Sequence, residues 1–222
     1  MQLRLSERLI DPKSPERRPR RAAYALPTLF TAANVFFGFL AITKTIEGTL
    51  RANQEGNVSI PEYALAAQLI GVAVAADGLD GRIARMTNTV SDFGRELDSL
   101  ADVISFGVAP AAIAYGCGMQ GLFDRIVLVF FVACGVSRLA RYNVTAEKLS
   151  AGSDKVAYFE GTPIPTSMVL VALLWAAAAQ GALGESLWGG VWWIAGFRLH
   201  PLVLLFAVSG SLMVSRIRIP KF

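Results

Sequence analysis

The chain has 222 residues, a formal net charge of +4, 54% hydrophobic residues and 17% charged residues. That is little charge for a soluble domain of this length, and the apolar residues fall in blocks of about twenty, the length that spans a bilayer. The basic residues lie between those blocks and at the chain ends, which excludes a nucleic-acid-binding face.

Residues 1–26 form a polar leader with seven Lys and Arg residues, ending in Arg17, Arg18, Arg20 and Arg21. It has no long apolar core, so the first span is expected to stay in place. The leader reads as a topogenic cluster and as a partner for anionic headgroups. Six spans are expected, at 27–47, 62–84, 98–119, 121–141, 163–183 and 199–216. The fold class is therefore an all-α integral membrane protein with six transmembrane helices. Its parts are a basic N-terminal segment at 1–26, a six-helix transmembrane domain at 27–217 and a C-terminal tail at 218–222. Polar connections are expected at 48–61, 86–97 and 142–162. Trp188, Trp192 and Trp193 suit an interfacial belt. Cys117 and Cys134 lie inside apolar segments and offer neither a disulfide framework nor a zinc spacing.

Charge sets the expected topology. One side of a six-span chain would receive both termini and loops two–three and four–five, with 17 of the 21 Lys and Arg residues. That side is the cytoplasm of a cell-membrane protein.

The stretch from Asp77 to Asp102 carries the chemistry. Asp77 and Asp80 are three apart, and Asp98 and Asp102 are four apart, so each pair shares a helical face. A carboxylate in a membrane helix costs about 2.5–3.5 kcal/mol near the centre and less near the ends. Four facing one another also repel. Cations relieve both costs, and an all-oxygen donor set suits Mg²⁺ or Mn²⁺. A cation transporter would also use intramembrane acids. Here all four cluster at the cytoplasmic face with few polar residues continuing across, which favours an enzyme.

Residues 77–102 read D-x2-D-G-x2-A-R-x8-G-x3-D-x3-D. The pattern resembles the signature of the CDP-alcohol phosphotransferases, integral membrane enzymes of phospholipid synthesis. Asp77, Asp80, Gly81, Ala84, Arg85, Gly94, Asp98 and Asp102 all match it. The resemblance implies two divalent ions held by the four aspartates. It implies a CDP site at Asp80, Gly81, Ala84, Arg85 and Gly94, CMP as leaving group, Asp102 as general base and a homodimer. The small Gly81 and Ala84 leave room for a base or ribose, and the Arg85 fork can contact phosphate. His200, the one histidine, is expected at the opposite membrane face. Direct displacement at phosphorus is therefore expected rather than a covalent route.

Three further stretches are similar to the serine-using branch of that family. They are LPTLFTAANVFFGFLAI at 26–42, SRLARYN at 137–143 and YFEGTPIPTS at 158–167. The resemblance implies CDP-diacylglycerol and L-serine as substrates, within a membrane-lipid environment. Arg138 and Arg141 share a helical face and can bind the serine carboxylate or a lipid phosphate, or serve as ordinary edge arginines. Asn143 adds a hydrogen-bonding group. Thr31 and Asn34 either face the nucleotide or pack between helices. Phe159, Gly161 and Pro163 either shape a loop over the serine pocket or form a turn before the fifth span. The alternatives are another CDP-alcohol phosphotransferase, using glycerol 3-phosphate or an inositol phosphate, and an archaeal ether-lipid substrate.

Overall fold

The computed structural model describes residues 21–55, 60–87, 91–150, 158–194 and 196–220. Arg17, Arg18 and Arg20 of the leader lie outside the described residues.

Helix α1 runs Arg21–Glu55 and α2 runs Ile60–Thr87. These two helices form an antiparallel pair. Helix α1 continues well past the expected end near residue 47. Polar side chains are satisfied within it there: Thr45 and Thr49 each donate to the carbonyl four residues back, and Lys44 bonds Glu47 at 2.6 Å. Arg51 then pairs with Glu62, and the Thr49 and Tyr63 hydroxyls meet at 3.2 Å, which fastens the far end of α1 to the start of α2.

Helix α3 runs Asp92–Asp102, starting six residues before the expected third span. Ser91 explains the start: its backbone is extended, and its Oγ accepts from the Gly94 N–H at 3.0 Å. A π turn, Val103–Val108, and α4, Ala109–Gly116, continue the same rod. Helix α5 runs Leu122–Ser150, α6 Met168–Ala179 and α7 Val203–Val214. Phe131 of α5 meets Phe206 of α7 edge to face, with centroids 5.2 Å apart.

The protein is mostly helical. Among the described residues, three stretches are long and apolar enough to cross a membrane: Pro27–Gln54, Pro61–Thr87 and Asp92–Gly116. The apolar helices Ile164–Ala179 and Val203–Val214 are shorter. In α5 the apolar run is bounded by Asp124 and Arg125 at one end and Arg138 and Arg141 at the other.

Among the described residues, four short strands depart from the expected all-helical chain. β1 (Tyr158–Glu160) pairs antiparallel with β4 (Arg218–Pro220), and β2 (Trp192–Ile194) with β3 (Phe197–Leu199). Trp192 and Trp193 are exposed on the second ribbon. The first ribbon leads into Gly161, whose φ is +73° and whose Cβ, if present, would lie 2.4 Å from the Met213 carbonyl oxygen. Only glycine suits both demands. The Gly161 N–H donates to Ile217 O at 3.0 Å and the Thr162 N–H to Leu212 O at 3.2 Å. The segment before α6 is thereby stitched to the end of α7.

His200 is buried against Asp124 in the first turn of α5. Asp124 Oδ1 accepts from the His200 backbone N–H at 2.8 Å. Its Oδ2 accepts from the Gly121 N–H at 3.0 Å and lies 2.7 Å from His200 Nδ1. This junction lies about 21 Å along the α5 axis from Arg138, at 1.5 Å per residue.

Candidate active site

Helix α2 carries Asp77 and Asp80 two to three turns before its end, and α3 carries Asp98 and Asp102 at its last turn. The two helices bring acid oxygens together: one carboxylate oxygen each from Asp77, Asp98 and Asp102 lies within 4.8 Å of the others. Asp98 Oδ1 and Asp102 Oδ1 are buried with no hydrogen-bond partner among the described residues. Two like charges at about 4 Å repel by about 4 kcal/mol at an effective dielectric near 20. Orphaned buried oxygens add a desolvation cost. A divalent cation answers both, and the all-oxygen donor set is of the kind that holds Mg²⁺ or Mn²⁺. The residues present therefore fit a metal centre.

Asp80 plays a different part. It stays within charge–charge range of Asp77 and Asp98. Its Oδ2, however, accepts from the Thr31 hydroxyl of α1 at 2.9 Å, and both residues are buried. Three helices thus meet at the carboxylates.

Beside them opens a cleft of about 460 Å³. Thr31, Asp80, Gly81, Ala84, Arg85, Gly94 and Asp98 line it. Six of the seven residues expected to hold the nucleotide are therefore on its wall. The seventh, Asn34, is fully buried, and neither polar atom of its carboxamide has a partner among the described residues. Gly81 faces open space, with nothing nearer its absent Cβ than Arg85 at 4.0 Å. Arg85 Nε donates to the Gly81 carbonyl at 2.9 Å, which swings the guanidinium back along the cleft. Arg95, also on the wall, pairs with Asp92.

The residues expected around serine separate into two groups. Asn143 lines the cleft. Its Oδ1 accepts from the Ser99 hydroxyl at 3.2 Å, and its Nδ2 donates to Glu96 at 3.1 Å. Arg138 lies close enough to Asp102 for their charges to interact, and sits 5.9 Å from the Tyr142 ring centroid. Arg141, by contrast, donates to the Val214 carbonyl at 3.1 Å. That bond places it with Gly161 and Thr162 around the end of α7. Phe159 lies on β1 and Pro163 precedes the turn Ile164–Ser167. Sequence reasoning missed Ser99, Glu96 and Tyr142. A serine beside an aspartate in a helix carries no distinguishing signal. A partner 44 residues away supplies it here.

The family model described as CDP-alcohol phosphatidyltransferase matches residues 24–208. The chain belongs to that family. It is thus a phosphatidyltransferase, a transferase of phospholipid biosynthesis with membrane features. A CDP-diacylglycerol–serine O-phosphatidyltransferase of Saccharomyces cerevisiae is 41% identical over 201 residues, covering 86% of this chain and 68% of the yeast protein. One of Helicobacter pylori strain 26695 is 38% identical over 208 residues, covering 92% and 75%. An archaetidylserine synthase of Methanothermobacter thermautotrophicus is 37% identical over 151 residues, covering 67% and 56%. No solved structure matches the chain.

Proposed function

We propose that this phosphatidyltransferase moves the phosphatidyl group of CDP-diacylglycerol to the hydroxyl of L-serine, giving phosphatidylserine and CMP. The observation that carries the reading is the convergence of Asp77, Asp98 and Asp102 beside a cleft walled by Asp80, Gly81, Ala84 and Arg85. The names of the relatives, two of which cover more than nine-tenths or four-fifths of this chain, support serine as the acceptor.

The chain's own residues divide the work. Thr31 holds Asp80 in place at the nucleotide end. Gly81 and Ala84 keep the wall low, so a flat base or ribose can lie against α2. The guanidinium N–H groups of Arg85 point along the cleft and suit a phosphate. Asn143, oriented by Ser99 and Glu96, offers a polar wall where the acceptor enters. The Asp102 carboxylate takes the proton from the serine hydroxyl as that oxygen forms its bond to the phosphatidyl phosphorus. The phosphorus–oxygen bond to CMP breaks, and CMP leaves with the electron pair. Two Mg²⁺ or Mn²⁺ ions on these carboxylates would neutralise the diphosphate and the charge developing on the leaving phosphate. Burial of His200 against Asp124, far along α5, supports direct displacement: no histidine stands ready to activate a nucleophile.

The same reading takes residues 27–217 as a catalytic domain of six membrane-spanning helices, between a basic leader and a short tail. The termini and the cleft then face the cytoplasm, and the basic-residue bias supports that orientation. The family likeness supports a homodimer.

Purified protein supplied with CDP-diacylglycerol, Mn²⁺ and one candidate alcohol at a time tests the acceptor. CMP is expected with L-serine. Release with glycerol 3-phosphate and not with serine would overturn the serine assignment while leaving the family reaction intact.

A further inference from the structure

The rod that carries Asp102 is not a regular α-helix. Immediately after Asp102 it widens into the π turn Val103–Val108, closed by the Ala109 N–H donating to Ile104 O. Such turns recur at functional sites and need something to hold the extra residue. Ser105 lies inside this turn. A helical serine usually bonds a carbonyl of its own preceding turn. The Ser105 hydroxyl instead donates to the Asn34 carbonyl of α1, at 2.9 Å, with the serine fully buried.

The approach is close. A Cβ at Gly38, one turn beyond Asn34, would stand 2.2 Å from Ser105 Oγ and 3.0 Å from its Cα. Helix α1 therefore makes two cross-helix bonds three residues apart, about 4.5 Å along its axis. Thr31 takes Asp80 on α2, and the Asn34 carbonyl takes Ser105, three residues past Asp102. One helix thereby spaces both halves of the carboxylate cluster.

We propose that Ser105 is a positioning residue for the transfer reaction. Through its bond to α1, made possible by Gly38, it holds the π turn and so aims the Asp102 carboxylate at Asp77 and Asp98. This rests on the reading of Asp102 as the general base. Ser105 does not line the cleft.

The test uses the purified, membrane-reconstituted protein with Mn²⁺. Ser105→Ala is expected to lower kcat by about 10–100-fold with KM for CDP-diacylglycerol little changed, the size seen when a supporting partner of a metal ligand is lost. Mn²⁺ affinity, read from the EPR signal of free Mn²⁺, should weaken in parallel. Ser105→Cys, which keeps a weak donor on a somewhat larger atom, should recover part of kcat. Gly38→Ala should lower kcat too, and its penalty should shrink in the Ser105→Ala background, where the hydroxyl no longer obstructs the added methyl. If Ser105→Ala does not fold, Ser105→Cys and Gly38→Ala carry the comparison. Wild-type kcat and Mn²⁺ affinity in these variants would overturn the proposal. Asp102→Asn run alongside separates the failures: an inactive Asp102→Asn with a fully active Ser105→Ala sinks the Ser105 role alone. A fully active Asp102→Asn sinks the base assignment and the Ser105 role together.

Discussion

Asp102→Asn should lower CMP release by about 10²–10⁴-fold, the contribution of a positioned general base. The substitution keeps shape and hydrogen-bonding capacity but cannot accept the proton of an attacking hydroxyl. The loss should therefore fall on kcat. Binding of the CDP moiety depends on the wall formed by Thr31, Asp80, Gly81, Ala84 and Arg85, and should be largely spared. Single-turnover kinetics alongside equilibrium binding of a CDP-lipid separates these. Unchanged turnover would remove Asp102 as the base. A loss confined to lipid binding would recast it as a binding residue.

The second large effect lies at the other end of the molecule and concerns stability rather than chemistry. Asp124→Ala would leave the His200 N–H, the Gly121 N–H and the His200 ring nitrogen without their shared acceptor. Each orphaned buried group costs about 1–3 kcal/mol. The sum is a large fraction of the roughly 5–15 kcal/mol that holds a domain together. The expected result is a marked fall in thermal midpoint in detergent, with Asp124→Asn falling less because it retains one oxygen acceptor. A midpoint equal to wild type in Asp124→Ala would show that the junction between α5 and α7 does not depend on this carboxylate.

These two aspartates also show how far the chain could be read in advance. The acids at 77, 80, 98 and 102 stood out because charge is rare in apolar blocks and helical spacing fixes which face each one shares. Periodicity did not point to a nucleotide site; the family resemblance did, through Gly81, Ala84 and Arg85, which line the cleft. Asp124 and His200 are 76 residues apart, and nothing local in either segment announces the other. The same holds for Ser105 with Asn34, and for the strand pairs, whose three-residue members are too short to show an alternating pattern. Helix ends were not legible at the Ser91 cap of α3, which lies in a stretch expected to be a polar connection. They were misjudged where polar side chains stay satisfied inside the helix, as in the last two turns of α1. The split of the expected serine-site residues has the same cause. Arg138 and Arg141 are near neighbours in sequence, yet one faces Asp102 and the other bonds the carbonyl of Val214.

The central claim is that oxygens from α2 and α3 hold divalent cations together. Titrating metal-stripped protein with Mn²⁺ and following the free-ion EPR signal tests it most directly. Wild-type protein is predicted to withdraw Mn²⁺ from solution, and the Asp77→Asn/Asp98→Asn variant, folded as judged by its thermal midpoint, to lose that capacity. Equal uptake by the wild type and the variant would contradict the account.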